Sequence, residues 1–252
     1  MRRLLLLAAF FSPLALAQTI IVESHSLMRL PGNNDHLQVE RLQVADYGTL
    51  LIPGGISEVR IDDLVLGHEA RIAIVPSAQP ISLVVNHGRF GTGSQITARG
   101  APGTFEKPAL PGRNLTLRVQ RLSAEQLSID ARGGAGAPGY VGLDGGNGAA
   151  PGCAWGQAGR GHDGDSGGDG HDGAAGGQVR LELPQSFAAE RIKVNVNGGT
   201  AGPGGVGGQP GKGGASKGCI VYRADGAKAG KPGQAGQPGA PGPAGSVTVQ
   251  RF

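Results

Sequence analysis

The sequence predicts an all-β chain. A β-solenoid-like or sandwich scaffold of two-strand rungs carries two inserted polyglycine-II hairpins that form a four-rod bundle, with no significant α-helix in the mature chain. Three observations predict this. Apolar and polar residues alternate through the first half, glycine recurs at every third position through much of the second, and two cysteines occupy matching places in the glycine-rich part.

The chain opens with the form of a secretory signal peptide. Arg2 and Arg3 give a positive start, Leu4 to Leu16 a short apolar stretch, and Ala15-Leu16-Ala17 a small-x-small cleavage motif. Residues 1–17 are therefore expected to be removed, leaving Gln18 first. The apolar stretch is too short to cross a bilayer, so no membrane span is expected after cleavage, and no cysteine follows the cleavage motif to take a lipid. The expected location is periplasmic or extracellular. The mature chain has 235 residues (252 − 17), and loss of the two arginines lowers the formal net charge from +4 to +2. So small and dispersed a charge speaks against a nucleic-acid partner.

Residues 18–132 form the expected β-strand repeat scaffold, continued by strands in 178–197 and 246–252. The period-two pattern of half-buried strands runs through Leu37/Val39, Leu50/Ile52, Val59/Ile61, Leu64/Leu66, Ile72/Ile74, Ile81/Leu83/Val85 and Ile96/Ala98. It continues through Leu115/Leu117/Val119, Leu127/Ile129/Ala131, Val179/Leu181/Leu183, Ile192/Val194/Val196 and Val247/Val249.

Glycine then keeps a strict spacing of three in four runs of equal length. Run one is Gly133, Gly136, Gly139, Gly142, Gly145 and Gly148. Run two is Gly161, Gly164, Gly167, Gly170, Gly173 and Gly176. Run three is Gly199, Gly202, Gly205, Gly208, Gly211 and Gly214. Run four is Gly230, Gly233, Gly236, Gly239, Gly242 and Gly245. An extended left-handed helix has three residues per turn, so every third residue lies on one edge; at ~3.1 Å per residue each run would span about 46 Å. Glycine on that edge lets neighbouring main chains approach and exchange the hydrogen bonds that such a helix cannot make internally. Residues 133–176 read as a first hairpin and 198–245 as a second. A collagen triple helix is the competing reading, since run four carries Pro232, Pro238, Pro241 and Pro243. Breaks of 12, 22 and 15 residues between runs would end a triple helix, so the single-chain bundle is preferred.

The intervals carry internal repeats. Cys153 and Cys219 each lie five residues past the last glycine of a run, the same place at the tip of each hairpin. The entries also match. Leu127-Ser-Ile-Asp-Ala-Arg-Gly-Gly134 leads into the first, Ile192-Lys-Val-Asn-Val-Asn-Gly-Gly199 into the second, and Gln95-Ile-Thr-Ala-Arg-Gly100 opens a shorter loop ending near Gly112. Leu50 to Ile72 is 22 positions and Ile72 to Ile96 is 24; Ile129 to Ile192 is 63, or 19 without the 44 residues Gly133 to Gly176. This is the scale of a solenoid rung. Stacked rungs would lay the hairpins side by side and bring the cysteines together as a disulfide. An antiparallel β-sandwich with long insertions is the alternative scaffold.

Short Gly-x-x runs joined by turns that hold cysteines resemble the polyglycine-II bundles of springtail antifreeze proteins and the glycine-rich tips of phage tail-fibre adhesins. In composition the chain resembles the secreted bacterial collagen-like, glycine-rich proteins. The resemblance covers about residues 133–245. It implies the rod fold and offers no functional residue to carry over.

The densest charged segment, 161–173, contains His162, Asp163, Asp165, Asp169, His171 and Asp172. These are weak candidates for metal ligands. Ridge neighbours on such a helix lie about 9 Å apart, whereas calcium ligands lie about 2.4 Å from the ion, so a solvated acidic edge is the expected role. Lys212, Lys217, Lys228 and Lys231 are its expected weak partners. Trp155 and Tyr222, beside the tip cysteines, are candidate contacts for sugar rings; the preferred reading makes them a cap over the disulfide, with Tyr140 a packing wedge. Asp62-Asp63 makes a poor acid/base pair, because adjacent strand residues face opposite sides. His25, His36, His68 and His87 are scattered. No phosphate loop, dinucleotide fingerprint or nucleophile elbow is present, so neither cofactor nor catalytic set is expected. The expected function is a non-enzymatic structural or adhesive module of the envelope or extracellular space. It would bind a surface glycan or envelope protein by rod faces or tips. Ice binding is the first alternative and a carbohydrate-active β-helix enzyme the second.

Overall fold

The computed structural model describes residues 19–32 and 34–252; the expected signal peptide lies outside the described residues. The chain is all-β with parallel sheets. Among the described residues the one helical segment is a 3₁₀ turn at Ala189–Arg191, and no helix is long and apolar enough to cross a membrane.

Strands alternate between two sheets. One holds β1 (Thr19–Val22), β3 (His36–Val44), β5 (Glu58–Leu66), β7 (Ile81–Phe90), β9 (Leu115–Ala124), β11 (Val179–Leu183) and β15 (Val247–Arg251), in that order. The other holds β2 (Leu27–Arg29), β4 (Thr49–Ile52), β6 (Arg71–Ile74), β8 (Ser94–Thr97), β10 (Leu127–Asp130) and β12 (Ile192–Asn195). Neighbours within each of these sheets pair in parallel, which excludes the antiparallel sandwich. The two remaining strands, β13 (Lys217–Gly218) and β14 (Arg223–Ala224), make a small antiparallel pair.

Each expected apolar pair contributes to a strand or its immediate flank, and the inward residues of all but the last form one continuous core between the sheets. Val247 and Val249 are exposed, because β15 is the edge strand and no following strand of the second sheet covers it. Burial of this kind stabilises by roughly 25 cal/mol per Å². Leu50 pairs with Ile72 and Ile72 with Ile96, as the spacing of 22 and 24 predicts. The matched hairpin entries are also register partners, with Leu127 beside both Ile192 and Ser94. The count taken from Ile129 to Ile192 is corrected: Ile129 pairs with Val194, a spacing of 65, because the repeat aligns whole entries.

A second correction concerns the long strands. Val59/Ile61 and Leu64/Leu66 lie on one strand, β5. The inward phase shifts at a polar pair, as it does at Glu40-Arg41, Asn86-His87 and Gln120-Arg121. Val39, Ile61, Val85 and Val119 face inward before the shift and Leu42, Leu64 and Gly88 after it. At these bends strict alternation fails, so Asp62 and Asp63 both reach solvent. The turns stack too: His25, Tyr47, Glu69 and Gly93 all take positive φ, at 56°, 59°, 50° and 73°. The His25 ring stacks on Tyr47 with centroids 4.9 Å apart.

The glycine runs continue the stacking of the strands that feed them. Main-chain N–H groups of Gly136, Gly139, Gly142 and Gly145 donate to the carbonyls of Thr200, Pro203, Val206 and Gln209. Run one therefore lies parallel to run three, in the direction of β10 and β12. Run two lies parallel to run four, with Gly164, Gly167 and Gly170 donating to Lys231, Gln234 and Gln237. Antiparallel bonds close the set. Asp165, Gly168 and His171 donate to Leu143, Tyr140 and Ala137; Gly202, Gly205 and Gly208 donate to His171, Gly168 and Asp165; Gly233, Gly236 and Gly239 donate to Gly208, Gly205 and Gly202. The shorter loop is a truncated hairpin of the same stack: Gly100 and Gly103 donate to Arg132 and Ala135, and Gly112 to Ala175.

The spacing of three has its physical cause in these contacts. A Cβ on any of the 24 run glycines would collide with main-chain carbonyl atoms of a neighbouring run or of its immediate flank. Run three has a second bare edge, against run four. Gly204, Gly207 and Gly213 lie on it, and their Cβ positions would strike Gly236, Gly233 and Ala227.

Candidate functional site

The two hairpins end together. Cys153 and Cys219 form a disulfide with Cα atoms 5.7 Å apart, as their matched offsets predict. The second tip folds back as β13 and β14, where the Cys219 N–H donates to the Tyr222 carbonyl at 2.7 Å. The first tip turns at Gly156, φ 95°, and the Gly152 N–H donates to the Gly156 carbonyl at 3.2 Å. The Tyr222 hydroxyl donates to the Cys153 carbonyl across the two tips.

Beside this junction lies an open cleft of about 460 Å³. Trp155, Tyr222, Gly152 and Ala224 line it, and Gln157 and Asp225 supply polar groups. The cap reading of Trp155 is overturned. Its side chain is 90% exposed and Tyr222 is 51% exposed. Main-chain and side-chain hydrogen bonds close the tip instead, which leaves the indole free. Ile220 and Val221 are exposed beside it. Tyr140 does pack, with its ring over Gly168, where a Cβ would strike it, but its outer face is open.

The acidic segment takes a role that composition does not show. Asp163, Asp169 and Asp172 each accept a run-four main-chain N–H through Oδ1, from Lys231 at 2.7 Å, Gln237 at 2.7 Å and Ala240 at 2.6 Å. Asp144 and Asn147 serve Gln209 and Lys212 of run three in the same way. Where Ala175 offers no acceptor, the residue at the same offset is Pro243, which has no N–H. His162, Asp165 and His171 are exposed and enter the ladder through their main chains. Among the described residues no group of three or more His, Cys, Asp or Glu side chains could hold a metal ion. The expected lysine partners are replaced: Asp163 meets Arg160 at 3.5 Å, and Lys231 meets it through its amide.

The scaffold separates its polar groups. Asp62 accepts from Asn86 Nδ2 at 2.6 Å, and Asp63 lies 3.1 Å from Arg89 and 3.6 Å from Arg41. His36 pairs with Glu58 and Asp35, His68 lies by Tyr47, and His87 by Arg121. Sequence reasoning missed Arg113, which is 1% exposed. Its guanidinium donates to the carbonyls of Gln79 at 2.7 Å, Val75 at 3.3 Å and Ile56 at 2.5 Å, tying successive turns together. Burial lowers its pKa from the ordinary guanidinium value, yet arginine keeps its charge. Its position after Gly112, at the exit of the truncated hairpin, was the available signal.

No protein-family model, no curated protein and no solved structure matches this chain.

Proposed function

We propose that the chain is an exported, non-enzymatic structural or adhesive module of the secreted collagen-like, glycine-rich kind. In this reading the two parallel sheets are a β-solenoid base, and the four glycine runs are polyglycine-II rods projecting from it as one bundle. The bundle tip meets a surface glycan or an envelope protein.

One observation carries the reading. An almost fully exposed tryptophan stands over a tyrosine-lined cleft at the end of the hairpins, fixed by a disulfide. Leaving an indole in water forgoes its burial, whereas an indole face stacks well on a flat apolar partner such as a pyranose ring. The disulfide also suits an oxidising compartment. A glycan array probed with the mature protein and with Trp155→Ala tests this. The expected result is binding to a restricted glycan set that the substitution removes. Binding that survives the substitution, or none to glycans or to isolated envelope protein, overturns it.

A further inference from the structure

The bend of the seven-stranded sheet carries a charged row, far in sequence from the tip residues, that the tip reading does not use. Arg41, Asp63, His87 and Arg121 are register neighbours on β3, β5, β7 and β9. Arg89 lies two register positions further along, past the inward-facing Gly88. Arg89 Nη2 is 3.1 Å and Arg41 Nε 3.6 Å from the same oxygen of Asp63. Arg121 forms no ion pair among the described residues, and its Nη1 lies 3.0 Å from His87 Nε2. Two guanidiniums thus share the Asp63 carboxylate and the third, Arg121, meets none, while Asp62 across the bend accepts from Asn86.

Asp63, His87, Arg89 and Arg121 rim a recess of about 460 Å³ floored by Gly88 and Leu122 and edged by Ser123. Gly88 breaks a row of leucines, Leu42, Leu64 and Leu122. The core space beneath it is filled by Val119 and Phe90, 3.1 and 3.2 Å from where its Cβ would stand. The floor at that point is bare main chain.

We propose that this recess binds a hydroxylated carboxylate of sugar-acid size. Guanidinium forks match a carboxylate in two-point geometry, and Arg121 presents one that no carboxylate meets, beside Arg89, which is paired with Asp63. Asp63 keeps lone pairs for ligand hydroxyls, and its charge disfavours a compact dianion. The apolar floor suits one face of a ring, and the volume lies in the small-ligand range.

A ¹H–¹⁵N NMR titration of the mature chain with glucuronate, glucose and sulfate tests the site. Glucuronate should give saturable shifts at the amides of 87–89 and 121–123, and glucose should give none. Arg121→Gln should weaken the response about tenfold through loss of a charge-assisted contact. Ser123→Phe, filling the recess from an exposed position, should remove it. Arg180→Gln, elsewhere on the same sheet, should leave it unchanged. Absence of saturable shifts, an equal response to glucose or sulfate, or a response indifferent to Arg121→Gln and Ser123→Phe each overturns the proposal.

Discussion

The carboxylate of Asp169 accepts the main-chain N–H of Gln237, 68 residues later, at 2.7 Å. The contact turns an apparent surface charge into part of a main-chain ladder. Run four is the edge of the stack, and all its non-glycine residues are exposed. Of its outward N–H groups, those of Lys231, Gln237 and Ala240 are taken by aspartates of run two, and Pro232, Pro238, Pro241 and Pro243 carry none. This explains why only run four looks like collagen.

Asp169→Ala should therefore cost about 1 kcal/mol, the usual worth of one such bond. Asp169→Asn, which keeps an acceptor oxygen, should cost clearly less. Thermal unfolding of the two variants, with and without calcium, separates this role from metal binding; a large calcium-dependent rise in wild-type Tm would contradict it.

Adjacent glycines should behave oppositely. A Cβ at Gly145 collides with the His162 carbonyl, while one at Gly146 meets only the His162 ring edge at 3.5 Å. Gly145→Ala should destabilise by about 1–3 kcal/mol or more, as overpacking does. Gly146→Ala should stay within about 1 kcal/mol of wild type, on the stabilising side. Chemical denaturation of the pair gives the comparison.

The disulfide spans 66 residues, which the chain-entropy account values at about 4 kcal/mol. Cys153→Ser/Cys219→Ser should lower Tm and open the tips to limited proteolysis near Gly156 before the sheets unfold. Unchanged cleavage would show that the ladder alone holds the tips.

Arg113→Met should cost about 2–3 kcal/mol, because the buried Ile56 carbonyl and the part-buried carbonyls of Val75 and Gln79 lose their donor. Arg113→Lys should rescue only part of this, since one ammonium cannot reproduce the fork. Urea unfolding midpoints at constant slope would measure both.

Asp130 adds an acid limb to stability. Burial pushes its carboxyl pKa up, but hydrogen bonds and charge from Arg132, with charge from Arg99, more than offset this and hold it below the ordinary value. Ionised Asp130 thus stabilises the fold above its unfolded pKa, near 3.9, and this is lost as pH falls through the lower folded value. Asp130→Asn should flatten the stability profile in that acid window and leave its shape above about pH 5 unchanged.

Sequence by itself determined the β pattern, the four runs, the matched hairpin entries and the cysteine pairing. Each rests on a period or an offset that one strand or one run imposes locally. Tertiary structure alone decided the rest. The bends at Asp62-Asp63 and its neighbours depend on where successive strands stack. The service of Asp163, Asp169 and Asp172 to another run, the burial of Arg113 and the exposure of Trp155 depend on which main-chain groups lie opposite them. Those partners lie 34 to 69 residues away, across a stack whose register no local pattern specifies.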